Sequence, residues 1–188
     1  MATIDNNPLV SGARGNVGKQ FVYRRRGDKT HIMRMPVFKN KTPTAQQKER
    51  RELFSFAASY AAGAMSIPAL KKQYQQEVQP AQTAYNIAFR DYLKAPKVNS
   101  IDITGYTGTP GSTIGIDASD DFRVVRVIVS VHSATGLLIE EGDAAINPID
   151  WSKWTYTTRQ VNASLAGSII RAKAFDIPQN TGTLEMTV

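Results

Sequence analysis

The apolar residues of this chain change period once, near residue 97, and that change constrains the fold more than any single motif. Before it, Leu53, Phe56, Ala57, Tyr60, Ala61 and Ala64 recur at the i, i+3, i+4 spacing of one helix face. After it, the period is two. Seven runs, at 100–106, 112–118, 122–131, 136–144, 153–159, 167–177 and 183–188, are separated by turn residues. They predict seven strands in about the length of one immunoglobulin-type sandwich. Trp151, before the fifth run, and Trp154, at its start, are expected to fill its core.

The helical part reads as three segments. Thr44 and Gln47 have the spacing of a capping box at the start of the first, a helix of about five turns. Gly63 and the Ser66-Ile67-Pro68 step are expected to interrupt it. Residues 69–78 form a short second helix, and residues 80–93 a third with Pro80 in its first turn. Upstream, Lys19 to Arg25 is rich in aromatic and β-branched residues, Gly27-Asp28-Lys29 supplies a turn and Thr30 to Met35 alternates, the pattern of a β-hairpin that Pro36 ends. Residues 1–15 are polar and turn-rich, which predicts an arm that is flexible alone and ordered by a neighbouring subunit. The fold class is therefore α+β: an N-terminal arm and β-hairpin (1–43), a short helical region (44–97) and a C-terminal immunoglobulin-like β-sandwich (98–188).

Charge is unevenly spread along the 188 residues. Residues 1–51 carry 12 Lys and Arg against 3 Asp and Glu, while residues 98–188 carry 6 against 10. The basic head interleaves Lys19, Arg24, Arg25, Arg26, Lys29, Arg34, Lys39, Lys41, Arg50 and Arg51 with Phe21, Tyr23, Ile32 and Phe38. Such a segment suits contact with nucleic-acid phosphates or with the acidic half of another subunit. Lys48, Arg50 and Arg51 follow a helix start, where the macrodipole disfavours cations and an anionic partner would offset the cost.

Catalytic and metal chemistry finds little support. With no cysteine, thiolate nucleophiles, disulfides and cysteine-ligated metals are excluded. The Gly12–Gln20 segment has five residues between Gly12 and Gly18, and Gln20 where a phosphate loop needs a hydroxyl. His31 and His132 have no ligand-spaced partner and read as ordinary strand residues. Asp120-Asp121 and Glu140-Glu141-Asp143 could offer oxygens to calcium, but they lack EF-hand spacing and read as solvated turns. Arg26-Gly27-Asp28 reads as turn chemistry, and the Asn40 and Asn162 sequons need a secretory route that no visible signal peptide supports. No enzyme, cofactor or metal site is expected, and no apolar run reaches membrane-spanning length.

Gly15, Val17 and Gly18, then Pro43, Thr44, Gln47, Arg51 and Phe54, and the segment from Thr83 to Lys94, form a layout. It resembles a family of small, uncharacterised basic proteins of Bacteroidota. The resemblance implies the three-part architecture and brings no activity or catalytic residues. The expected function is a non-enzymatic structural protein that assembles with copies of itself or other structural proteins of a larger particle, a phage virion or filament. The alternative is an architectural nucleic-acid-binding protein. The expected location is the virion or the cytoplasm, with no membrane partner.

Overall fold

Among the described residues, three helices and three antiparallel four-stranded sheets make up the regular structure. The computed structural model describes residues 2–4, 7–8, 10, 12–27, 29–37 and 42–188. Residues 1–50 with 79–82 form one unit, and residues 51–78 with 83–188 a second.

In the first unit, the expected hairpin is β3 (Phe21–Arg26) paired with β4 (Lys29–Arg34). The segment expected to be a free arm supplies two further strands, β1 (Ala2–Ile4) on β4 and β2 (Gly15–Val17) on β3. A bare two-stranded hairpin is marginal and exposes unpaired backbone on both edges. Folding the arm back satisfies those edges within the chain, so a neighbouring subunit is not needed to order them.

Helix α1 (Ala45–Ser66) starts with the expected capping box. Thr44 N donates to Gln47 Oε1 at 3.1 Å and Gln47 N to Thr44 Oγ1 at 3.3 Å. Gly63 does not interrupt it. The break comes at Ile67, and α2 (Pro68–Gln76) leaves at 106° to α1. Helix α3 (Ala84–Leu93) begins later than the proline suggests, because Ala81 is left-handed at φ 68° and cannot continue a helix. Thr83 is the cap, its hydroxyl accepting from Asn86 N at 3.2 Å. A helical core of Ala61, Ala64, Tyr74, Ala84, Ile87 and Ala88 results, and Phe122 from a strand connection packs on it.

Although 103–106 of the first predicted run lie outside any strand, each of the seven runs meets one of seven strands. They are β5 (Lys97–Asp102), β6 (Thr113–Ser119), β7 (Val124–His132), β8 (Leu138–Asp143), β10 (Lys153–Thr157), β11 (Ile169–Asp176) and β12 (Thr181–Thr187). The short strand β9 (Ala145–Ile146) is added to them. One sheet has the order β5-β6-β10-β9 and the other β12-β11-β7-β8. Alternate residues meet in one shared core: Ile114, Ile116, Trp154 and Tyr156 from the first sheet, Val127, Val129, Val131, Ile170, Ala172 and Ala174 from the second. In β5 a bulge between Val98 and Ser100 resets the parity, so that Val98 and Ile101 both point inward. Of the two tryptophans only Trp154 enters the core. Trp151 precedes β10 in a turn and stays 61% exposed, since a turn residue has no inward parity to follow.

Two glycines mark opposite limits. Gly63 sits in the helix interior with open space where a Cβ would go, whereas a Cβ on Gly182 would stand 1.9 Å from the Pro96 carbonyl oxygen. Gly63→Ala is expected to raise stability by about 0.5–1 kcal/mol. Gly182→Ala is expected to lose about 3 kcal/mol as β12 is forced off the start of β5. Urea denaturation of both variants checks the opposite signs.

Candidate functional site

The basic residues of the first unit divide between two faces of one sheet. Pairing sets Arg24 opposite His31, Arg26 opposite Lys29 and Arg25 opposite Thr30. Alternation therefore puts Arg24, Arg26 and Lys29 on one face, with Val22 and Met33, while Arg25 and Arg34 share the other with Phe21 and Tyr23. Arg26 and Lys29 are like charges placed directly across two strands, an arrangement that costs stability. Both are exposed, as is Arg24, and none of the three has an ion-pair partner among the described residues. Arg25 Nε donates to the Gly27 carbonyl at 3.1 Å. Lys19 occupies the turn before β3, with left-handed φ of 56°. Lys39 and Lys41 lie outside the described residues. Arg50 and Arg51 are exposed on α1, the sixth and seventh residues of that helix. They are thus past the first turn, where the dipole has faded, and the argument for an offsetting anion holds only for Lys48.

The second unit holds a cluster that sequence reading did not assemble. One carboxylate oxygen each from Asp91 on α3, Asp120 in the β6–β7 connection and Asp176 at the end of β11 lie within 4.8 Å of one another. Asp91 is 1% exposed and Asp176 fully buried. Tyr74 donates its hydroxyl proton to Asp91 Oδ2 at 2.5 Å, and the Tyr60 hydroxyl stands 2.8 Å from that of Tyr74. Because the Tyr74 proton is committed to Asp91, Tyr60 is the donor in the second bond. Asp176 accepts from Asn180 N at 2.6 Å and Asn180 Nδ2 at 2.7 Å, and the same amide reaches the carbonyls of Asp91 and Tyr92. Asp120 Oδ2 accepts from the amides of Phe122 and Arg123. Asp91 Oδ1 and Asp120 Oδ1 are buried and have no donor.

Electrostatics follows from this burial. Desolvation, reinforced by the charges of Asp120 and Asp176, pushes the Asp91 carboxyl up to about 7, against the opposing bond from Tyr74. Burial likewise raises Asp176, against its bonds from Asn180, and raises Tyr60 and Tyr74. The basic side chains of α3 do not neutralise the cluster. Arg90 and Lys94 pair instead with Asp121, at 2.9 and 2.8 Å.

The carboxylates read from sequence as solvated turns divide accordingly. Asp121, Glu141 and Asp143 are exposed, with Asp143 paired to Arg126. Asp120 is half-buried in the cluster. Glu140 is buried inside β8, accepting from Tyr156 Oη at 3.0 Å and Arg159 N at 2.8 Å, because its strand parity points inward. Burial and this bond push the Tyr156 hydroxyl up to about 12. Asn162, a sequon residue, is buried with its amide donating to Tyr106 Oη and Ser168 Oγ, which leaves no nitrogen open to glycosylation. His31 and His132 lie on β4 and β7, and neither joins a metal-ligand cluster among the described residues.

A cleft of about 450 Å³ opens beside Asp120, walled by Phe122, Arg123, Val124, Ile146 and Trp151. The Arg123 guanidinium lies 5.1 Å from the centre of the Trp151 ring. Comparison with protein families, with characterised proteins and with solved structures finds no match for this chain.

The buried carboxyl of Asp91 makes stability depend on pH. Its folded pKa lies above the ordinary carboxylate value, so its stabilising contribution is complete below about pH 4 and is lost as pH rises through about 7. Asp120, Asp176, Tyr74 and Tyr60 are the titratable groups facing it. In chelator-treated protein, Asp91→Asn keeps an acceptor for Tyr74 but removes the charge. Its melting temperature relative to wild type is expected to climb as pH rises through about 7. Parallel thermal melts across the pH range check this, and a pH-independent difference would show that Asp91 does not titrate there.

Proposed function

We propose that this chain is a non-enzymatic structural protein that assembles with copies of itself into or onto a larger particle, a phage virion or filament component. The observation that carries the reading is the first half of α1. Every residue from Thr44 to Phe56 is exposed, including Leu53, Phe54 and Phe56 at 45–60%. Apart from the edge-on contact of the Phe54 ring with Phe89 at 5.4 Å, these three turns bury no side chain, and helices held mostly by local propensity are marginal in water. A second copy laid on the Leu53–Phe56 segment would supply the missing burial. The charge partition supports a copy of this chain as that cover, since the basic head and the acidic sandwich half are complementary between neighbours.

The strand orders support an immunoglobulin-like reading of the two sheets. With β5, β6, β10 and β9 as strands A, B, E and D, and β12, β11, β7 and β8 as G, F, C and C′, the order follows that fold. The inter-sheet cysteine pair is absent, and the buried tryptophan sits on strand E rather than C. Immunoglobulin-like sheets serve many functions, so they support architecture alone. No single helix among the described residues is long and apolar enough to cross a membrane.

A second reading, binding of nucleic acid, is favoured by Arg24, Arg26 and Lys29 on one sheet face. The like-charge pair across the hairpin costs stability that a polyanion would recover. The two readings separate experimentally. Wild type is expected to sediment as a large oligomer and Phe56→Glu as a monomer that still melts cooperatively, at a lower temperature than the assembled wild type, because Phe56 is 60% exposed within one chain. A monomeric wild type at high concentration overturns the assembly reading. If such a monomer binds duplex DNA with a log–log salt slope of roughly −0.9 per phosphate contact, and Arg24→Glu with Arg26→Glu flattens it, the second reading stands.

A further inference from the structure

We propose that Asp91, Asp120 and Asp176 bind one calcium ion, which ties α3 to the ends of the two sheets. The proposal is independent of the assembly reading. Three acidic side chains alone would not make a site, but here two of them each carry a buried oxygen without a hydrogen-bond partner. Asp91, 1% exposed, has its Oδ2 engaged by Tyr74 and its Oδ1 without a partner, and Asp120 Oδ1 is in the same position. A buried carboxylate oxygen left unpaired is costly, and a cation is the group that several converging oxygens accept together.

The donor set selects the cation. All three ligands are carboxylate oxygens, with no histidine in the cluster and no cysteine in the chain, which favours a hard ion over zinc or copper. Oxygens around one calcium stand up to about 4.6–5.2 Å apart, twice its bond length, so a spread within 4.8 Å fits a single shell. Magnesium holds its oxygens at about 2.0–2.1 Å and keeps several waters, which suits a site built on buried residues poorly. Among the described residues no ion pair joins Asp91, Asp120 or Asp176 to a cation, and Arg90 on α3 and Lys94 just after it are both paired to Asp121. Access is provided through Asp120, which lines the open cleft beside Phe122 and Trp151 as well as belonging to the cluster. The cation would bridge three elements distant in sequence, α3, the β6–β7 connection and the end of β11.

The test uses the full chain, stripped with chelator and held in mildly alkaline buffer. Calcium titrated by calorimetry is expected to bind one ion per chain with Kd on the order of 10⁻⁵–10⁻³ M, and to raise the melting temperature. Terbium(III), a calcium surrogate, is expected to luminesce when tyrosine is excited, because Tyr74 touches Asp91, and calcium is expected to quench that signal by competition. Asp91→Asn and Asp176→Asn should each weaken calcium binding by about tenfold or more, while Glu141→Gln, an exposed carboxylate on β8, leaves it unchanged. Should the buried variants fail to fold, Asp120→Asn at the half-buried position gives the same reading. The proposal is overturned if wild type shows neither heat nor a melting shift up to about 10 mM calcium. It is equally overturned if Glu141→Gln loses as much affinity as the cluster variants, or if Asp91→Asn binds as wild type does. A proton shared between Asp91 and Asp120 would then account for the two unpartnered oxygens.

Discussion

The hydrogen bond from Tyr74 to Asp91 is the contact on which the second unit turns. It joins α2 to α3, and Tyr60 extends it to α1. The helical core is built largely from alanines, which allow close approach but bury little area each. Three helices with so thin a core need a polar contact to fix their angles. A buried hydrogen bond of about 0.5–1.5 kcal/mol supplies one, and it is directional where alanine packing is not. The cost is a buried carboxylate, set next to two others.

That cost shapes the junction between helices and sheets. Asn180 uses one amide group to accompany Asp176 and to reach the carbonyls at the end of α3. Phe122 fills the helical core from the sheet side, its ring centre 4.4 Å from that of Tyr74 with the planes tilted by 35°. Asp121, one residue away, takes both basic side chains of α3 at the surface. The connection between β6 and β7 thus does three jobs in three consecutive residues: Asp120 inward to the cluster, Asp121 outward to the cations, Phe122 into the helices. The region where the acidic groups concentrate is also where α3 is secured to the sheets.

Much of the cluster was legible in the hydrophobic period, had the polar residues been followed as well as the apolar ones. Asp91 stands three residues after Ala88 and four after Ile87, on the buried stripe of α3. Asp176 continues the inward parity of Ile170, Ala172 and Ala174, and Asp120 that of Ile114, Ile116 and Ala118. Glu140 is another inward acid on a strand. Each was readable as a buried acid. Their meeting was not, because three parities on separate elements say nothing about which ends come together.

The sequence by itself determined the local elements: the capping box at Thr44, the hairpin around Gly27, the seven long strands and the position where helix gives way to sheet. These depend on interactions among neighbours within a few residues and on a period that the chain carries in itself. Tertiary structure decided the rest. It recruited the N-terminal segment to the hairpin edges, moved the start of α3 from Pro80 to Thr83, sent Trp154 inward and left Trp151 outside. It also brought Asp91, Asp120 and Asp176 together, the first and last of them 85 positions apart in the chain. The physical reason is that edge pairing, core filling and the gathering of charges are settled by which surfaces remain to be covered once the local elements exist. That quantity is a property of the packed chain rather than of any window of it.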